Sequence, residues 1–107
     1  MANKEYIRRL AAAIRHLHGC EAKHVGSKTV HEVFRGQTIW KGDVQIFDLT
    51  GHVKAKRAYG WSYPEGPHDQ GERFVTVLEL PPVSSPEAAV KAAVATEIKE
   101  TRKNLKN

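Results

Sequence analysis

The stretch from Trp40 to Tyr63, WKGDVQIFDLTGHVKAKRAYGWSY, constrains the fold most, because it reads as two β-strands joined by a turn at Thr50-Gly51-His52. Successive side chains of an extended strand point to opposite faces. Counted from Val53, one face of the second strand receives Val53, Ala55, Arg57, Tyr59, Trp61 and Tyr63, and the other receives Lys54, Lys56, Ala58, Gly60 and Ser62. With a helix at each end of the chain covering one side of a four-stranded sheet, the other side meets water. Two arrangements follow. In one, the aromatics are core beneath the helices, where large aromatic side chains usually sit. In the other, Ala58 and Gly60 lie beneath an Ala-rich C-terminal helix, and the aromatics form an open platform beside Arg57.

The flanks supply the remaining elements. Asn3 to His18 has the pattern of an amphipathic helix, with Asn3 as N-cap and Gly19 as stop. Tyr6, Ile7, Leu10, Ala13, Ile14 and Leu17 make its apolar stripe. Lys4, Arg8 and Arg15 lie together on the opposite side, with Arg9 and His16 further round and Glu5 as the acid among them. Cys20 to Lys28 reads as a connector and Thr29 to Phe34 as a strand, followed by a reversal at Arg35-Gly36-Gln37. The strand from Thr38 to Leu49 contains Gly42, which suggests a β-bulge. That bulge leaves open whether Phe47 and Leu49 or Val44 and Ile46 are the buried pair. Asp48 and His52 bracket the next turn, where a turn-stabilising aspartate is a sufficient account of the pair.

A loop rich in Pro, Gly and Asp, PEGPHDQGE, precedes the strand Arg73 to Leu80, which Pro81-Pro82 stops. Ser85 then caps a helix with Pro86 at its first position and Glu87 at its positive end. Val90, Ala93, Val94, Ile98 and Leu105 form that helix's apolar face, and the charged tail from Lys99 to Asn107 is expected to fray.

The chain of 107 residues has the length of one domain, and its 17 Lys and Arg against 12 Asp and Glu give a net charge of +5, which favours polyanions or acidic surfaces as partners. A single cysteine, Cys20, precludes an intrachain disulfide, and with no secretory signal the expected compartment is the cytoplasm. No run approaches a membrane span. His16, His18, Cys20 and His24 are metal-ligand types within nine residues, but the spacing lacks the paired rungs of structural zinc sites, so no metal is expected. No phosphate-binding glycine loop, HExxH or GxSxG motif is present, and no nucleophile stands beside a base. The expectation is a protein without catalysis and without cofactor.

The order helix, antiparallel strands, helix, together with Gly66-Pro67-His68 followed by Phe74, resembles double-stranded-RNA-binding domains. The resemblance spans nearly the whole chain in topology and implies RNA as partner. The chain departs from that family in placing this loop before the last strand, and in having Ser85, Pro86 and Glu87 where a lysine cluster would open the second helix. The run of Glu32, Phe34, Gly36, Trp40, Gly42, Val44 and Phe47 with Gly51-His52 resembles small bacterial proteins of uncharacterised function, a resemblance that supplies no activity.

The expected fold is therefore α+β: an N-terminal helix, a four-stranded antiparallel meander and a C-terminal helix, with both helices on one face in two layers. The expected function is a nucleic-acid-binding module. Its site would comprise Arg8 and Arg15 on the first helix and Lys54, Lys56 and Arg57 on the third strand, with Tyr59 and Trp61 stacking on bases where their face is open. Sheet face and outer helix side lie on opposite sides of such a domain, so the two basic groups need not share a surface. The alternative is a protein-interaction or homo-oligomerising module that buries the open sheet face against a second chain.

Overall fold

The structure, a computed structural model, describes residues 4–69 and 71–105, with the side chains of residues 65, 69 and 97–105 outside the description. Helix α1 (Lys4–His18) leads into strands β1 (Glu21–Phe34), β2 (Gln37–Thr50), β3 (Arg57–Glu65) and β4 (Gly71–Leu78), and helix α2 (Pro86–Leu105) closes the chain. The strands form one antiparallel sheet in the order β1-β2-β3-β4. The α+β class, the meander and a helix at each end are as the sequence implied. The N-cap expected at Asn3, the apolar positions Ile98 and Leu105 and most of the charged tail lie outside the described residues or side chains.

The two helices lie on opposite faces of the sheet, which corrects the two-layer arrangement. Leu10 and Ile14 of α1 pack with Phe47, Ala58 and Cys20, whereas Ala89 and Val90 of α2 pack with Val30, Val44, Tyr59 and Trp61. Ala58 and Tyr59 are neighbours on one strand, so their side chains leave the sheet on opposite sides and each meets a different helix. Each arrangement considered for β3 is thus half realised: its aromatics lie beneath α2, and its small residues lie beneath α1. Helix α1 comes close at Gly60, where a Cβ would lie 3.2 Å from Leu10 Cδ2. The choice between Phe47/Leu49 and Val44/Ile46 dissolves for the same reason, because the first pair packs in the α1 cluster and the second in the α2 cluster.

Strand β1 begins at Glu21 rather than Thr29, and the expected connector is paired to β2 from Glu21↔Thr50 onward. A register shift between His24 and Gly26 leaves Val25 as the extra residue, which turns His24 toward the α1 face and Gly26 toward the α2 face. A second shift, between Glu32 and Val33, leaves Ile39 extra on β2. Gly42 is not the bulge. It pairs regularly with Val30, and its lack of a side chain makes room for Trp40, whose Cη2 would lie 3.0 Å from a Cβ at that position. The β1-β2 hairpin turns at Arg35 and Gly36, with φ of 52° and 77°, the backbone of a two-residue primed turn.

At the start of α2 the Ser85 cap is in place, its Oγ accepting from the Ala88 N–H at 3.1 Å. Glu87 in the same turn meets Lys28 Nζ at 2.6 Å, and that hydrogen bond, with further help from the helix backbone, holds its carboxyl below the usual value.

Candidate functional site

Strand β3 begins at Arg57, so the segment Gly51 to Lys56 is a loop rather than the strand the alternation implied. Its conformation follows from three hydrogen bonds. The Leu49 N–H donates to the Lys56 carbonyl at 2.8 Å, and His52 Nδ1 accepts from the N–H groups of Lys54 at 3.1 Å and Ala55 at 2.8 Å. An Nδ1 that accepts two backbone donors leaves the ring proton on Nε2. Ala55 is buried beneath the loop, so Lys54 and Lys56 on either side of it face solvent, and Val53 at the apex is 94% exposed.

The ladder decides what stands beside this loop. Glu21 pairs with Thr50, which places the last turn of α1 and the start of β1 at the same end of the sheet as Gly51 to Lys56. Arg15 reaches across to Glu21 at 3.8 Å. Exposed Lys23 lies opposite Asp48, whose Oδ1 takes both Nε and Nη2 of Arg57 at 3.2 Å. Of the residues the sequence singled out, Arg15, Lys54, Lys56 and Arg57 therefore come together at one end. Arg8 lies two turns back along the outer side of α1 and pairs with Glu5 at 3.4 Å.

Tyr59 and Trp61 do not belong to this surface. They are 2% and 4% exposed beneath α2, so of the two arrangements weighed for β3 it is the one with these aromatics in the core that holds for them, and the condition for stacking on bases is not met. Trp61 meets Trp40 edge to face at 5.5 Å. The Tyr59 hydroxyl donates to the Glu79 carboxylate, and burial followed by that bond pushes its pKa up to about 12. Neither Lys23 nor the anchoring role of His52 is legible in the sequence. The first lay in the supposed connector, and the second has no signal beyond its place after Gly51.

The possible metal ligands disperse. His18 Nε2 bonds Thr76 Oγ1 at 2.9 Å, and His24 Nε2 bonds Gln45 Oε1 at 2.9 Å while its ring stands edge-on to Phe47. Cys20 is buried, and burial, then the Glu21 charge, pushes its thiol pKa up. Among the described residues no three His, Cys, Asp or Glu side chains converge on a point, and no helix is long and apolar enough to cross a membrane.

His18 adds a pH dependence to this end. Burial, and next the nearby His52, lower its pKa from the ordinary 6.5. Above that value both folded and unfolded forms are neutral; as pH falls through it, the unfolded chain takes up a proton that the folded chain resists, and stability declines. Urea midpoints measured from pH 7 down to pH 5 should fall, and His18→Gln should flatten the fall; an unchanged slope in the variant would remove His18 from the account.

No family model matches this chain, and neither a curated protein nor a solved structure shows significant similarity to it.

Proposed function

We propose that this protein is a non-catalytic nucleic-acid-binding module that grips the phosphate backbone with the end of the domain built from the β2-β3 loop, the last turn of α1 and the start of β1. The observation that carries this is the Glu21↔Thr50 pairing, which brings Arg15 and Lys23 to the same end as Lys54, Lys56 and Arg57. Lys54 and Lys56 project from a loop already fixed by His52, so little conformational freedom is lost when they meet a phosphate. With Tyr59 and Trp61 buried, neither offers a stacking face to single-stranded bases. Binding therefore rests on the backbone and carries little sequence preference. Arg8 extends the positive stripe along α1, and the net charge of +5 has the sign this partner requires.

Phosphate binding releases counterions, so the affinity for a labelled mixed-sequence duplex, read by fluorescence anisotropy, should fall steeply between about 50 and 200 mM salt. In Lys54→Glu/Lys56→Glu the affinity at low salt should drop by at least about tenfold and the log-log salt slope should shrink by about 2. Absence of binding at low salt, or a slope that the double variant leaves unchanged, would defeat the proposal.

A second reading has its own observation. The tip of the β1-β2 hairpin exposes Val33, Phe34 and Ile39 at 52%, 60% and 48%, with the Arg35 guanidinium 5.2 Å from the Phe34 ring centroid. An apolar, arginine-flanked tip is the composition of a protein interface, and a second copy of the chain is the simplest partner. It moves the interaction-module alternative from an open sheet face to a hairpin tip. A mass that rises with concentration, is unaffected by salt and returns to monomer in Phe34→Ser would favour it.

A further inference from the structure

The loop from Gly51 to Lys56 is held by an uncommon acceptor. His52 Nδ1 takes the N–H of Lys54 at 3.1 Å and that of Ala55 at 2.8 Å, the part that an Asn or Asp oxygen ordinarily plays in a turn. An asparagine oxygen keeps its lone pairs at every pH. An imidazole nitrogen keeps its lone pair only while the ring is neutral, and imidazole is the side chain that ordinarily gains a proton between about pH 8 and pH 5. In the charged ring both nitrogens carry hydrogen, so neither a change of tautomer nor a flip of the ring restores an acceptor. A proton on Nδ1 would stand against two N–H donors. Ala55 is 3% exposed, so its N–H cannot turn to water unless the loop moves.

Charges of both signs surround the ring. His52 is half-buried in a recess that it shares with Asp48 at the end of β2, Lys56 and Arg57 at the start of β3, and Glu79 beyond β4. Lys54 adds a charge from the loop itself, and His18, at the last position of α1, lies close enough for each ring to feel the other's charge. The two carboxylates favour an imidazolium and the cations oppose it, so what protonation does to the loop is decided by the two hydrogen bonds. We propose that His52 is a proton-operated latch on the β2-β3 loop: the neutral ring fixes Val53 to Ala55, and the charged ring releases them. The base of the loop stays closed, because the Leu49 N–H donates to the Lys56 carbonyl at 2.8 Å without help from His52. The latch regulates the basic end and rests on the phosphate-binding reading for its consequence, that in acid Lys54 loses its fixed position and a nucleic acid must order the loop anew.

The test uses the labelled full chain without nucleic acid, so failure here and failure of phosphate binding are told apart. Backbone nitrogen relaxation is measured from about pH 8 to about pH 5, while the carbon-bound ring protons of His52 report its charge. Order parameters of Val53, Lys54 and Ala55 should fall from about 0.85 to below about 0.6 in step with the ring, with Leu49 staying rigid. A rigid Leu49 separates this release from the acid destabilisation assigned to His18, which acts on the whole domain. His52→Asn supplies an acceptor that does not titrate and should keep the loop rigid throughout; His52→Ala should leave it mobile throughout. A loop that stays rigid around a charged His52, a ring that stays neutral to pH 5, or a His52→Asn loop that loosens in acid as the wild type does would overturn the proposal.

Discussion

Trp61→Ala should lower the unfolding free energy by about 3 to 5 kcal/mol, the cost of removing a large aromatic from a packed core. Trp61 is 4% exposed, and its cluster joins α2 to strands from both hairpins through Val30, Val44, Tyr59 and Val90. Domains of this size have only about 5 to 15 kcal/mol in total, so the variant should stand near the edge of folding, with a urea midpoint shifted far down. Were Trp61 an open platform, its loss would change stability by no more than about 0.5 kcal/mol. The two arrangements differ by several kcal/mol, and urea unfolding followed by far-UV circular dichroism separates them. A loss under about 1 kcal/mol would mean that α2 does not cover this face.

Phe47→Ala should cost a similar amount, about 3 to 5 kcal/mol, through the opposite face. Phe47 is wholly buried among Leu10, Ile14, Cys20 and Ala58 and stacks edge-on with His24. Its removal leaves a cavity directly beneath α1. Cys20 shares that cluster and provides a local reporter, because its thiol is buried and held protonated in the folded protein. In Phe47→Ala the thiol should react with a disulfide reagent faster than global unfolding alone explains, as α1 loosens. In Trp61→Ala the thiol rate should follow global unfolding, because Cys20 lies in the other cluster. Equal acceleration in both variants would contradict the assignment of one helix to each face.

How far the sequence could be read depended on whether its signals were local. Gly19, Arg35-Gly36 and Ser85-Pro86 punctuate the chain through their own backbone preferences, and the structure places a helix end, a hairpin turn and a helix start there. The α+β order followed from such marks. The side on which each helix packs did not, because periodicity on β3 shows that two faces differ in chemistry without showing which helix meets each. The assumption that both helices share a face then forced a choice between Ala58 and Tyr59, when both are core. Two bulges were also silent: Val25 and Ile39 are ordinary strand residues, whereas Gly42, which has the usual bulge signature, answers to the indole of Trp40.

The site was half legible for the same reason. Lys54, Lys56 and Arg57 stand out from composition alone, and alternation then assigned them to a strand that begins only at Arg57. Their conjunction with Arg15 depends on the long-range pairing of Glu21 with Thr50, which no local pattern encodes. Tyr59 and Trp61 looked like binding residues because aromatics beside cations are a common recognition surface. Their burial under α2 leaves Trp61 its place in the core and leaves Tyr59 its bond to Glu79.

The most direct test of the phosphate-binding account is an amide and indole proton-nitrogen spectrum of the labelled protein, recorded while a short mixed-sequence duplex is added at low salt. The expected result is fast, salt-reversible shift changes in Gly51 to Arg57 and in Arg15 to Lys23, with the Trp40 and Trp61 indole N–H signals unmoved. Movement of the Trp61 indole with no change across the β2-β3 loop would contradict it and return the nucleic acid to the aromatic face.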